Sequence, residues 1–93
     1  MAQYQVTAIR KPNIFSSHEH ITHIGNPQAG WIMTREEAIR QIDGNLNSFY
    51  VVDPRNLHRI AWVGVVRERG KLSYLRTHAD GVWNDNLLSL PQC

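Results

Sequence analysis

His18 and His20, one residue apart with His23 close behind, form the one metal-like spacing in this chain. On a strand, alternate side chains share a face, so His18 and His20 could ligate one Zn²⁺ while His23 points the other way. Zinc takes four ligands. A third from Asp, Glu, His58, His78 or Cys93 would have to be supplied by the fold, and the plainer expectation is polar histidines on a half-exposed strand or loop. Cys93 paired with a histidine would be a nucleophile and base, but a catalytic thiolate needs a held, positively polarised position and a chain terminus frays. Asp80 and Asp85 flank Gly81-Val82-Trp83-Asn84. Two acids can do acid-base work, yet Asp-Gly is a turn signal and Asp85 is placed to cap a turn by accepting from Leu87 or Leu88.

Arg67, Arg69, Lys71 and Arg76 surround Tyr74, the best basic and aromatic grouping in the sequence. Arginines beside an aromatic can bind phosphates and stack bases, and Tyr74 and Arg76 share a face on the expected alternation. The competing expectation is an ordinary solvated hairpin with Glu68 offsetting part of the charge. Trp31, Trp62 and Trp83 could line a ligand site. Core packing is the stronger expectation for Trp62, on a central strand, than for Trp31 and Trp83 beside glycines in loops. The spacing of Gly25, Gly30 and Gly44 matches no phosphate-cradling or dinucleotide motif.

These side chains must be held by elements legible along the chain. Tyr4 to Lys11 alternates apolar and mixed positions as a strand, Pro12-Asn13 breaks it, and His18 to Ile24 reads as a second strand closed by Gly25-Asn26-Pro27. Thr34-Arg35-Glu36-Glu37 is a capping box that starts a helix of about ten residues, with Met33 and Ala38 as a modest staple. Ala38, Ile39 and Ile42 form its apolar face, and Gly44 stands where a left-handed cap is expected. Three strand-like stretches follow, Ser48 to Asp53, His58 to Arg67 and Leu72 to Thr77, as an antiparallel meander. The middle one is apolar on both alternating sets, which marks a central strand. Leu87, Leu88 and Leu90 close the chain as a short turn or docked coil that should cover whatever sheet face the helix leaves open.

The 93 residues are one domain's worth of chain, with 42% hydrophobic and 19% charged residues, too apolar and too weakly charged for disorder. The formal net charge of +2 is spread without a block of like sign, so no nucleic-acid arm is indicated. Protonating the five histidines would add five positive charges, so acid could alter its behaviour. One cysteine permits no disulfide within the chain, no secretory signal is evident at Met1 to Val6, and the longest apolar run, Ile60 to Val66, is too short to span a membrane. A cytoplasmic protein is expected.

The strings Ile21-Thr22-His23-Ile24, Thr34-Arg35-Glu36-Glu37-Ala38, Tyr74-Leu75-Arg76-Thr77 and Asp80-Gly81, followed by Asn86-Leu87 and Leu90-Pro91, resemble a small bacterial domain-of-unknown-function family, the domain of unknown function 3892 type. The resemblance runs over nearly the whole chain and implies no catalytic residue. Ala79 stands where Pro is expected before Asp-Gly, and Ser48 to Trp62 is more aromatic than the resemblance implies.

The resulting expectation is an α+β domain over residues 1–93: a mostly antiparallel sheet of about five strands in the order β-β-α-β-β-β, one helix on a face and a Leu-rich tail. No constellation supplies nucleophile, base and stabilising group together, so a noncatalytic binding module without cofactor is expected. Its expected contact surface is Trp31, Arg67, Arg69, Lys71, Tyr74, Arg76 and Trp83, with a protein partner favoured and self-association through a sheet edge possible. The rivals are a nucleic-acid binder using the basic hairpin around Arg67 to Arg76 and a small metal-dependent enzyme using His18 and His20.

Overall fold

The computed structural model describes residues 2–12, 18–52, 60–79 and 81–92, with His18 by its backbone only. It is an α+β fold of two sheets. The first sheet holds β1 (Ala2–Gln5), β5 (Asn47–Val52), β6 (Ile60–Val66), β7 (Tyr74–Ala79) and β8 (Val82–Asn84), in the order β1-β5-β6-β7-β8. The second holds β2 (Ala8–Arg10), β3 (His23–Asn26) and β4 (Trp31–Thr34). Every pairing is antiparallel except that of β1 with β5, and α1 (Arg35–Asp43) is the one α-helix among the described residues.

Two sheets, not one, is the main departure from expectation, and the amino-terminal strand shows its cause. Tyr4 to Lys11 divides between both sheets: Val6 N donates to Tyr50 O at 2.8 Å, and Thr7 N donates to Gly25 O at 2.9 Å. The backbone thus changes partners within one residue. Ala8 and Ile9 are both buried, which breaks the alternation of a one-sided strand. Ile9 N then donates to Pro91 O at 2.9 Å and Ile9 forms a parallel bridge with Gln92, fastening the chain's last described residues beside β2.

His18–His20 is a 3-10 turn, and the strand expected over His18 to Ile24 begins only at His23. The turn is held from the helix side, where Arg35 Nη1 donates to Glu19 O at 3.0 Å. A second correction is β4, whose residues had the glycine-flanked look of a loop. Asn26 accepts from Ala29 N at 3.2 Å across the 3-10 turn Pro27–Ala29, and Gly30 at φ 80° completes a reversal tight enough to pair β3 with β4.

Helix α1 starts where the sequence places it. Thr34 accepts from Glu37 N at 3.2 Å, satisfying one free amide of the first turn. The Glu37 carboxylate turns along the helix instead of back to the cap, accepting from Arg40 Nη2 at 2.6 Å and Gln41 Nε2 at 3.1 Å. At the far end Gly44 is right-handed, with φ −82°, and Asn45 takes the left-handed conformation at φ 55°. Asparagine tolerates that region better than most residues, which lets the reversal move one position on.

Those bonds from Arg40 and Gln41 hold the Glu37 carboxyl down to about 2 from its ordinary 4.5. The folded value lies below the unfolded one, so whatever stability the group contributes is present above pH 4.5 and is lost as pH falls towards 2. In a carbon-detected NMR titration Glu37 is expected to titrate near 2, and in Arg40→Ala to move up towards 4.5. An unchanged midpoint in the variant would remove Arg40 as the cause.

A helix of nine residues is marginal alone and is stabilised by what it covers. Ala38 is fully buried among Val6, Ile9, Ile21, Ile24, Phe49, Val51, Val63, Leu75 and Leu87, and Ile39, Ile42, Leu88 and Leu90 pack around them. This core lies between one face of the five-stranded sheet and the layer formed by α1, the three-stranded sheet and the closing segment. Strand β6 sits in the middle of its sheet, and the burial alternates with Ala61 and Val63 inward.

Candidate binding surface

The opposite face of the five-stranded sheet follows from the registers. Tyr50 pairs with Trp62, Trp62 with His78 and His78 with Trp83, so four adjacent strands place four rings in one transverse line. All four side chains lie on the face away from Val51, Val63 and Leu75, because successive strand residues point to opposite sides. Tyr50 and Trp62 have ring centroids 5.8 Å apart at 64°, and His78 and Trp83 5.3 Å apart at 80°. Both are edge-to-face pairs, in which only one ring of each pair has a face covered by its neighbour. Trp83 is 43% exposed.

Gly64 makes this arrangement possible. A Cβ there would stand 2.9 Å from His78 Cδ2 and 3.1 Å from a Trp83 ring carbon, so the two rings lie over bare backbone. Covering a strand glycine with cross-strand aromatics offsets its lack of a side chain. Beside it Arg76 donates through Nε to Asn84 O at 3.3 Å and through Nη2 to Asp85 Oδ1 at 3.2 Å. The remaining open-face positions of β1 and β5 are Gln3, Gln5, Ser48 and Val52. The five strands contain no Asp or Glu, and Arg76 is their one charged residue.

The residues singled out in the sequence are divided by the fold. Trp83 and Arg76 reach the aromatic face, and Tyr74 shares a face of β7 with Arg76 as the alternation predicts, at the buried end of the strand. Trp31 does not reach it: it packs on the core side, 5.9 Å from both the Tyr4 and Phe49 rings. Trp62, expected in the core, is half-buried on the open face, because the smaller set of β6 residues faces α1. Arg67 is ion-paired with Asp43 at the end of α1. Lys71 lies 2.9 Å from Glu19 and 3.3 Å from Glu68, pairs that raise its own pKa and lower that of Glu19. Tyr74 is buried and donates to Glu68 at 3.0 Å, and burial, then this bond, raises its phenol. Arg69 is exposed at the hairpin tip.

An open cleft of about 420 Å³ is lined by Pro12, Glu19, His20, Thr22, Arg35, Lys71 and Leu72. Its charges are already engaged, Arg35 with Glu36 at 2.9 Å and Lys71 with Glu19. Of the proposed metal ligands His20 is exposed at its rim, while the side chain of His18, with His58, Asp80 and Cys93, lies outside the described residues. Among the described residues no three His, Cys, Asp or Glu side chains gather as a metal site. Asp85 meets Arg76, and the Leu87 amide expected to reach it donates to Thr77 Oγ1 at 3.1 Å. No described helix is long and apolar enough to cross a membrane.

Among the described residues, a two-sheet α+β fold with one helix and a line of aromatic rings on the sheet face away from the core is therefore the class of protein at hand. The chain belongs to the family described as "Protein of unknown function (DUF3892)", whose model matches residues 5–91 and so takes in α1, the leucine-bearing segment and every strand but the start of β1. No curated protein and no solved structure matches it. The signal for Tyr50 and Trp62 was present in the sequence as the excess of aromatics between Ser48 and Trp62. His78 and Gly64 join them only through the registers of β6 with β7 and of β7 with β8.

Proposed function

We propose that this chain is a small noncatalytic binding module, acting in the cytosol, whose contact surface is the open aromatic face of the five-stranded sheet. The observation that carries the reading is the line of Tyr50, Trp62, His78 and Trp83 across four strands, facing away from the core. A domain of this size gains most by burying its large rings, and a row of them left half-open is the kind of surface that anchors an interface. The basic hairpin is a weaker candidate, since Arg67, Lys71 and Arg76 already meet carboxylates.

The three tryptophans make the test direct. In isotope-labelled protein mixed with unlabelled bacterial lysate, the indole N–H signals of Trp62 and Trp83 should shift or broaden while that of Trp31 stays. Movement of Trp31 alone, or of none of the three, would count against the surface.

A further inference from the structure

Granting that the aromatic face is a contact surface, we infer that its occupant is single-stranded nucleic acid, with bases stacked on Tyr50, Trp62 and Trp83 and stacking, not charge, supplying most of the affinity. Three observations converge on this ligand. Trp83 is exposed, Tyr50 and Trp62 are partly exposed, and each edge-to-face contact covers a face of only one ring of its pair. With strands about 4.8 Å apart, the line from Tyr50 to Trp83 is about 14 Å long, enough for the two or three bases that a small sheet stacks in the common RNA-binding modules.

The second observation is charge. The 26 residues of the five strands include no carboxylate, and their one charge, Arg76, is already paired with Asp85 at 3.2 Å, so stacking rather than charge is left to carry the affinity. A saccharide, whose hydroxyls need strong acceptors, would find no carboxylate on the strands, and Asp85 beside them already meets Arg76. Gln3 and Gln5 offer amide groups suited to base edges. The third is size. Five short strands present a face of roughly 400 Å², about half of the 800 Å² that each side of a stable protein interface buries. A slender ligand fits where a second copy of the chain or a folded partner would be held poorly.

The test is binding of short oligodeoxythymidine and oligouridine single strands, and of a duplex of equal length, followed by tryptophan fluorescence at low and high salt. Single strands are expected to bind in preference to duplex. Trp62→Ala and Trp83→Ala should each weaken binding about ten- to a hundredfold, as aromatic stacking sites do. The paired change Arg69→Glu with Lys71→Glu should alter it less than twofold. The slope of log K against log salt should be no steeper than about −1, since the one cation in the face, Arg76, is already paired with Asp85 and each neutralised phosphate contributes about −0.7.

A steep slope with loss of binding in the Arg69 and Lys71 variant would overturn the inference in favour of the hairpin, as would equal affinity for duplex. Trp83→Ala changes an exposed side chain and keeps the test valid if Trp62→Ala fails to fold. If oligonucleotides leave Trp62 and Trp83 unmoved while lysate shifts them, the ligand is wrong and the surface stands. If neither moves them, both are wrong. A dimer in sedimentation that Trp83→Ala dissolves would make the occupant a second copy and end the inference.

Discussion

Phe49→Ala is expected to lower stability by about 3–5 kcal/mol, read as a fall in the urea midpoint at constant slope. Phe49 is 1% exposed on the inward face of β5. Its ring stacks on Tyr4 of the neighbouring strand, with centroids 6.0 Å apart at 28°, and tilts against Trp31 of the other sheet at 5.9 Å. It therefore joins both sheets. Truncation loses the transfer free energy of the ring and leaves a cavity that two paired sheets cannot close without breaking ladder bonds. A chain of this length has roughly 5–14 kcal/mol in total, so about a fifth or more of its stability rests on one side chain. Phe49→Leu, which keeps most of the volume, should cost less than about 2 kcal/mol. A loss under about 1 kcal/mol in the alanine variant would show that the sheets are joined elsewhere.

Thr77→Val should cost about 2–3 kcal/mol although it is nearly isosteric, whereas Thr77→Ser, which removes a methyl group, should cost about 1. Thr77 is the one buried polar side chain among the described residues. Its hydroxyl donates to the Asn84 side-chain carbonyl and accepts from Leu87 N at 3.1 Å, while Asn84 Oδ1 also accepts from Asn86 N at 3.1 Å. The hydroxyl thus ties β7 to the turn that delivers Leu87 to the core. Valine fills the space but leaves the Leu87 amide buried without a partner, and a buried donor left so costs about 1–3 kcal/mol beyond the lost bond. Amide exchange at Leu87 should quicken in Thr77→Val more than at Val63. Valine outperforming serine would mean that shape, not the hydroxyl, is what Thr77 supplies.

What could be read from the sequence was what neighbours in the chain decide. The Thr34 cap, the apolar face of Ala38, Ile39 and Ile42, and the hairpin of β6 and β7 are set by residues within a few positions of one another. The second sheet was hidden because Val6 and Thr7 take their partners from Tyr50 and Gly25, and no local pattern marks that change. The candidate surface was half-visible. Alternation on β6 showed two apolar sets but not which one faces α1, and that is decided by Phe49, Val51 and Leu75 on the neighbouring strands. Trp62 was accordingly expected inside, and Trp31, beside Gly30, outside; the fold reverses both.

The stitching of the first residues has a kinetic consequence. Ala2–Gln5 lies against Asn47–Val52, and Lys11 N reaches Gln92 Oε1 across 81 positions of sequence. Contacts of such separation form late, after local hairpins have closed. At translation speeds of about 5–20 residues per second, the 81 positions between Lys11 and Gln92 take roughly 4 to 16 s to be made, and the bonds from β2 to the closing segment wait that long. During those seconds Ile9, buried in the finished fold, lacks the backbone partner that Pro91 supplies.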